Sequence, residues 1–106
     1  YMMLIVTTEQ VPGRQYEALG LVQGSAILCK NVGRDITQSF RQLVGGELPA
    51  YTEMMDRARD MALQRMLAQA QGMGADAVVS MRYATSAIAQ GAAEMVAYGT
   101  AVRWTE

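Results

Sequence analysis

Apolar and polar positions along the chain divide it into short β-like runs around one long helical stripe. Residues 2–8 form a brief apolar run rich in β-branched side chains and predict a strand. Pro12-Gly13 is a turn signal. Residues 16–30 predict a longer strand. Leu19, Leu21, Ile27 and Cys29 share one of its faces, and Tyr16, Ala18, Val22, Ala26 and Leu28 share the other. Both faces are apolar, so both are expected to be covered. Gly20 and Gly24 interrupt this strand, where a bulge or the close approach of another backbone is expected.

Asp35 is placed to cap a short helix carried by Ile36, Phe40, Leu43 and Val44, and Gly45-Gly46 ends it. Pro49 suits the first turn of a second helix. There Tyr51, Met54, Met55, Ala58, Met61, Ala62, Met66, Ala70 and Met73 recur at spacings of three and four, opposite Glu53, Asp56, Arg57, Asp60 and Gln64. Gly72-Met73-Gly74 stops it. Residues 77–83 and 94–104 read as a hairpin turning near Gln90-Gly91-Ala92. The predicted order is β-β-α-α-β-β. This is an α+β fold with an antiparallel sheet packed against one long and one short helix, in a single domain over residues 1–106.

Composition changes this picture in one respect. Hydrophobic residues make up 51% of the chain, but that share rests on alanine and nine methionines, with Phe40 and Trp104 the only large rings besides tyrosine. Small side chains bury little area each, so a chain of 106 residues gains from contacts with other copies. A net charge of -1 with scattered arginines and a single lysine, Lys30, speaks against nucleic acid and against a polybasic membrane contact. No run approaches membrane-span length and no leader-like start is visible, so a cytoplasmic location is expected. The lone Cys29 lies in the apolar run Ala26-Ile27-Leu28-Cys29 and is expected to pack as a small hydrophobe.

Candidate chemistry is sparse. The chain has no histidine, the commonest general base and transition-metal ligand. Gly72-Met73-Gly74-Ala75-Asp76-Ala77 lacks the third glycine of a dinucleotide fingerprint and follows a helix instead of a strand, so it reads as a helix stop. Gly45-Gly46-Glu47-Leu48-Pro49 leads into a helix start, where free N–H groups favour anions. Pro49 lacks an N–H, however, and Glu47 repels negative charge. The candidate ligand-binding residues are Arg41, Gly45, Gly46, Tyr51 and Glu53. Glu53, Asp56 and Asp60 are an oxygen-donor set for a hard cation or, with Arg57 and Arg59 among them, a solvated helix face. The methionines are soft-metal donors or flexible core fillers. No residue pattern names a cofactor.

Leu4-Ile5-Val6-Thr7-Thr8, Gly20-Leu21-Val22-Gln23-Gly24, Arg41-Gln42-Leu43-Val44-Gly45-Gly46, Tyr51, Ala58-Arg59, Ala62, Gly74-Ala75-Asp76-Ala77-Val78-Val79 and Gly99-Thr100-Ala101-Val102 form an ordered set across nearly the whole chain. That set resembles the YbjQ-like family of bacterial proteins. The resemblance implies a dodecin-like subunit assembled into a ring, a pentamer, and a family labelled as heavy-metal-binding. It carries over no catalytic or metal-binding residue. The expectation is a non-enzymatic homo-oligomer that binds a small molecule or a metal at its subunit interfaces. The alternatives are a structural or protein-interaction module, and a histidine-free enzyme using Arg41, Tyr51 and Glu53 around an anionic substrate.

Overall fold

Spacing by four determines how the helix sits. Met54, Ala58, Ala62, Met66 and Ala70 are all buried and fall in one line along the helix, here α1 (Pro49–Gly72). The computed structural model describes residues 3–29, 49–89 and 92–106. Four strands accompany α1: β1 (Leu4–Ile5), β2 (Tyr16–Cys29), β3 (Ala77–Ala89) and β4 (Ala92–Trp104). They form one sheet in the order β1-β3-β4-β2. The alanines of the helical stripe let α1 lie close over β2 and β4. At Gly24 the approach is closest: a Cβ there would stand 2.3 Å from the Met66 amide nitrogen. Val22, Ala26, Met95, Ala97 and Ala101 complete the core beneath the helix.

The stop after Gly72 is a left-handed cap centred on Gly74, with φ of +78°. The Ala75 N–H donates to the Ala70 carbonyl at 3.1 Å and the Gly74 N–H to the Gln71 carbonyl at 3.0 Å. This is the paired closure that a glycine in this conformation permits. The other expected irregularity of β2 is also present. Gly20 has φ of +142° beside a register shift at Ala18/Gly20.

Several expectations are corrected. The sheet is mixed, because β1 pairs parallel with β3, with Leu4 opposite Ala77 and Ile5 opposite Val78. Parallel neighbours need a long crossover, and the chain through β2 and α1 supplies it. β3 runs on to Ala89, well past the predicted end at residue 83. The described residues contain one helix. The predicted short helix along Ile36, Phe40, Leu43 and Val44 lies outside them, as do Gln90 and Gly91 of the predicted turn. The second face of β2 is not covered in the single chain, with Leu21 65% and Ile27 56% exposed. Cys29 is exposed too, so it does not pack as a core residue. Met73, at the end of the helical stripe, is also exposed.

Where the hairpin leaves the body of the protein, β3 bulges between Val79 and Arg82. Ser80 takes φ of +55° there, a left-handed conformation unusual for a side-chain-bearing residue. The N-terminal segment locks the bulge. Ser80 N–H donates to the Thr8 carbonyl at 2.9 Å, Met81 N–H to Val6 at 3.0 Å, and Arg82 Nη1 to Thr7 at 2.8 Å. The same segment lays Val6 and Val11 over Ala77, Val79 and Val102 on the sheet face away from the helix. A left-handed residue with a Cβ costs about 1–2 kcal/mol. Glycine gives back about 0.4–1 kcal/mol through the unfolded chain. Ser80→Gly is therefore expected to raise the free energy of unfolding by roughly 0.5–1 kcal/mol. Ser80→Val is expected to lower it, both read from urea denaturation followed by circular dichroism.

Beyond the bulge the hairpin projects. Of the thirteen residues of β3, eight lie from Arg82 onward, about 26 Å of extended strand. The Cα radius of gyration is 17.2 Å, against about 13 Å for a compact domain of this length.

Candidate functional site

Residues directly opposite in an antiparallel pair share a face, so the register defines the surface away from the helix. Its rows are Leu21–Thr100–Val79, Gln23–Tyr98–Arg82, Ser25–Val96–Ala84 and Ile27–Glu94–Ser86. The N-terminal segment covers only the end near Val79 and Val102. The remainder is open and mixed in character, with Leu21, Tyr98 and Ile27 exposed among amide, hydroxyl and charged groups.

β2 is an outer strand of the sheet, and α1 tends the middle of its free edge. Gln69 Oε1 accepts the Gln23 N–H at 2.7 Å, and Arg65 Nη1 donates to the Ser25 carbonyl at 2.6 Å. Residues 65 and 69 stand one turn apart on the helix, and residues 23 and 25 point their backbone groups the same way. The close packing of Met66 on Gly24 therefore places both caps.

Beside these caps lies a cleft of about 360 Å³ lined by Gln23, Gly24, Ser25, Gln69, Glu94 and Val96. It is at the lower end of small-molecule sites in size. Among the described residues, the side-chain amide of Gln23, the Ser25 hydroxyl and the Glu94 carboxylate have no hydrogen-bond or ion-pair partner. A second groove of about 420 Å³ lies at the helix end, lined by Gln71, Gly74, Ala75 and Asp76. Its surroundings are already paired. Asp76 Oδ2 accepts the Trp104 N–H at 2.8 Å, and Arg103 binds Glu17. Arg14 lies 4.8 Å from the Trp104 ring centre. Hydrogen bonding and charge attraction from Glu17 hold the Arg103 pKa above its ordinary value, although the pair is solvent-exposed.

The residues predicted as ligand-binding fall only in part within the described residues. Arg41, Gly45 and Gly46 lie outside them. Tyr51 is in the first turn of α1, and Glu53 is exposed on the same helix. Asp56 pairs with Arg59, as a solvated helix face would. Sequence reasoning passed over Gln23, Ser25, Gln69 and Glu94. The signal available for the first two was their alternation with Val22, Gly24 and Ala26, which put them on the face opposite the helix.

A family model described as "Putative heavy-metal-binding" matches residues 3–105. A UPF0145 protein of Clostridium perfringens is 54% identical over 101 residues, covering 94% of this chain and 95% of the relative. One from Thermotoga maritima is 54% identical over 102 residues, covering 95% and 96%. One from Halobacterium salinarum is 56% identical over 101 residues, covering 94% and 97%. The crystal structure of a protein of unknown function from Pediococcus pentosaceus, of the DUF74 family, superposes with a TM-score of 0.71. It shares 17% identity and covers 96% of this chain and 97% of its own, a likeness of fold. Among the described residues the usual donors of a single chain do not form a heavy-metal set. There is no histidine, Cys29 is the only thiol, and no three Cys, Asp or Glu side chains cluster among the described residues. No helix among them is long and apolar enough to cross a membrane. A family model over nearly the full length, and relatives above half identity across it, lead to one conclusion: the chain belongs to the YbjQ-like family.

Proposed function

We propose that this protein is a non-enzymatic homo-oligomer that holds a small molecule where its subunits meet. The observation that carries the reading is the sheet surface left open in a single chain. Leu21 and Ile27 on one face, and Tyr83 and Ile88 on the projecting hairpin, are all exposed. Isolated exposed side chains are ordinary, but apolar side chains along a sheet with free edges invite a partner.

Two stretches of strand edge have no partner among the described residues. On β2 the caps at Gln23 and Ser25 leave residues 27–29 open. On β3 the parallel strand β1 reaches only Val78, leaving residues 83–89 open. These edges lie on opposite sides of the sheet and at the same end of it. One copy's β2 therefore meets the next copy's β3 head to tail. A contact of that type closes into a ring when the rotation allows. Five copies is the stoichiometry the family resemblance implies. A small-molecule ligand is preferred over a metal because no three Cys, Asp or Glu side chains cluster among the described residues.

Native mass spectrometry is expected to show a defined assembly of the wild-type chain at micromolar concentration. The Ile27 N–H points outward like that of Gln23, two and four residues along the strand from Ser25 and Gln23, so Ile27→Pro removes an edge donor and leaves the β2·β4 ladder intact. That variant is expected to be a folded monomer. A monomeric wild-type chain would overturn the reading.

A further inference from the structure

We infer that the cleft at the β2 edge binds a small primary-ammonium compound whose far end carries a hydrogen-bond acceptor, with Glu94 as the counter-ion. The inference rests on the binding-protein reading for its biological sense, but every residue of the cleft comes from one chain.

Charge and hydrogen bonding are arranged with a direction across this part of the surface. The Glu94 carboxylate is half-buried, lines the cleft and has no partner among the described residues. Among the described residues it is the one ionisable group in the lining, an acceptor-only anion facing a space that takes a donor. Gln69 stands on the other side. Its Oε1 is held by the Gln23 N–H, so its orientation is fixed and its NH₂ remains a donor. Arg65, anchored by Nη1 on the Ser25 carbonyl, keeps further N–H donors and a positive charge at the strand edge. The cleft is thus acceptor-rich at Glu94 and donor-rich toward α1. The Ser25 hydroxyl, the Gln23 amide and the apolar Val96 line the space between.

An ammonium fits this polarity better than the alternatives. A simple anion would meet Glu94 unpaired. A neutral diol would leave the carboxylate without a counter-charge when the cleft is covered. A metal ion would find one carboxylate where it needs several oxygen ligands. A short chain with an ammonium at one end and a carboxylate or carbonyl at the other satisfies both ends. Its methylenes would lie on Val96.

The test is a titration of the full-length protein with 4-aminobutyrate, butyrate and 1,4-butanediol, followed by backbone-amide NMR shifts and thermal midpoint. 4-Aminobutyrate is expected to move the amide signals of Gln23, Ser25 and Glu94 and to raise the midpoint. Butyrate and the diol are expected to do neither. Glu94→Gln keeps shape and makes no internal bond worse, so it should melt like wild type and bind 4-aminobutyrate at least about tenfold more weakly. Raised salt should weaken wild-type binding, because the ion pair is only half-buried. Overturning results are an absence of shifts at these amides at millimolar 4-aminobutyrate, equal binding of butyrate, or unchanged affinity in Glu94→Gln. Native mass spectrometry of the same sample separates the two ideas. A monomer that binds overturns only the self-association reading, and an intact assembly that fails to bind overturns only this one.

Discussion

Gly24→Ala is expected to unfold or severely destabilise the protein, because the space a methyl group needs is occupied by backbone. The added Cβ would stand 2.3 Å from the Met66 nitrogen, 2.4 Å from the Ala62 carbonyl oxygen and 2.8 Å from the Arg65 carbonyl carbon. A side chain in the way could rotate; these atoms move only if the helix moves. Overpacking costs about 1–3 kcal/mol, and a clash with three fixed backbone atoms belongs at or above the top of that range. Lifting α1 also separates Ala58, Ala62 and Met66 from Val22 and Ala26. It pulls Gln69 and Arg65 off the edge of β2 as well. A loss of about 3 kcal/mol or more is a large fraction of the 5–15 kcal/mol that holds a typical domain together. Gly99→Ala is the comparison. Its Cβ would meet the Val78 Cγ1 at 2.7 Å and the Val79 carbonyl oxygen at 3.0 Å. A valine methyl can shift where a helix backbone cannot, so Gly99→Ala is expected to cost less. Urea denaturation followed by circular dichroism orders the two. A Gly24→Ala variant within about 1 kcal/mol of wild type would mean that the helix does not rest on that strand.

The same glycine marks how far the fold was legible in the sequence. A glycine inside a strand pattern signals a close approach, and the helical stripe with buried positions 54, 58, 62, 66 and 70 names what approaches. Strand β2 and helix α1 are local patterns, and both were readable. The extension of β3 from Ala84 to Ala89 was not. From Ala84 to Ile88 the side chains are exposed in the single chain, so no apolar alternation marks the stretch. It is a strand because β4 pairs with it. The parallel partner of β3 was equally hidden, since Leu4 and Ala77 are brought together by the whole intervening chain. The bulge at Ala18/Gly20 reverses the alternation expected along β2: Tyr16 packs with Val79 and Val102 on the face away from the helix, whereas Leu19 packs with Val22 and Ala26 beneath α1. Nor does periodicity say whether a second layer exists, and the face of Leu21, Ile27 and Cys29 is open in the protomer. The cleft at the β2 edge was not legible for a related reason. Gly45-Gly46 before a helix is a conspicuous local signal, whereas Gln23, Ser25, Gln69 and Glu94 are ordinary polar residues. The sheet register and the helix crossing gather them.

Met66→Ala is expected to be the most damaging side-chain deletion in the core. Met66 is fully buried and is among the largest side chains with no exposure. It is packed in the cluster with Val22, Ala26, Met95 and Ala97. Truncating a buried methionine to alanine costs about 2–5 kcal/mol, and the upper half applies where the surroundings cannot collapse. Here they cannot, since the helix already touches the strand at Gly24 and has no room to sink further. Met73→Ala is the contrast. That side chain is 38% exposed at the end of the helix, with its methyl beside Gly20, and its loss is expected to cost under about 1 kcal/mol. Met66→Leu keeps the volume and is expected to cost less than about 1.5 kcal/mol. If Leu at position 66 matches wild type, the methionine serves as volume. If it costs as much as alanine, the unbranched shape is required, because a γ-branch does not fit between Ala62 and Ala70 on the stripe. At roughly 4–8 °C per kcal/mol, Met66→Ala should melt at least about 10 °C below wild type. Making all three substitutions in the Ile27→Pro background separates unfolding of the protomer from dissociation of the assembly, because concentration then no longer moves the midpoint.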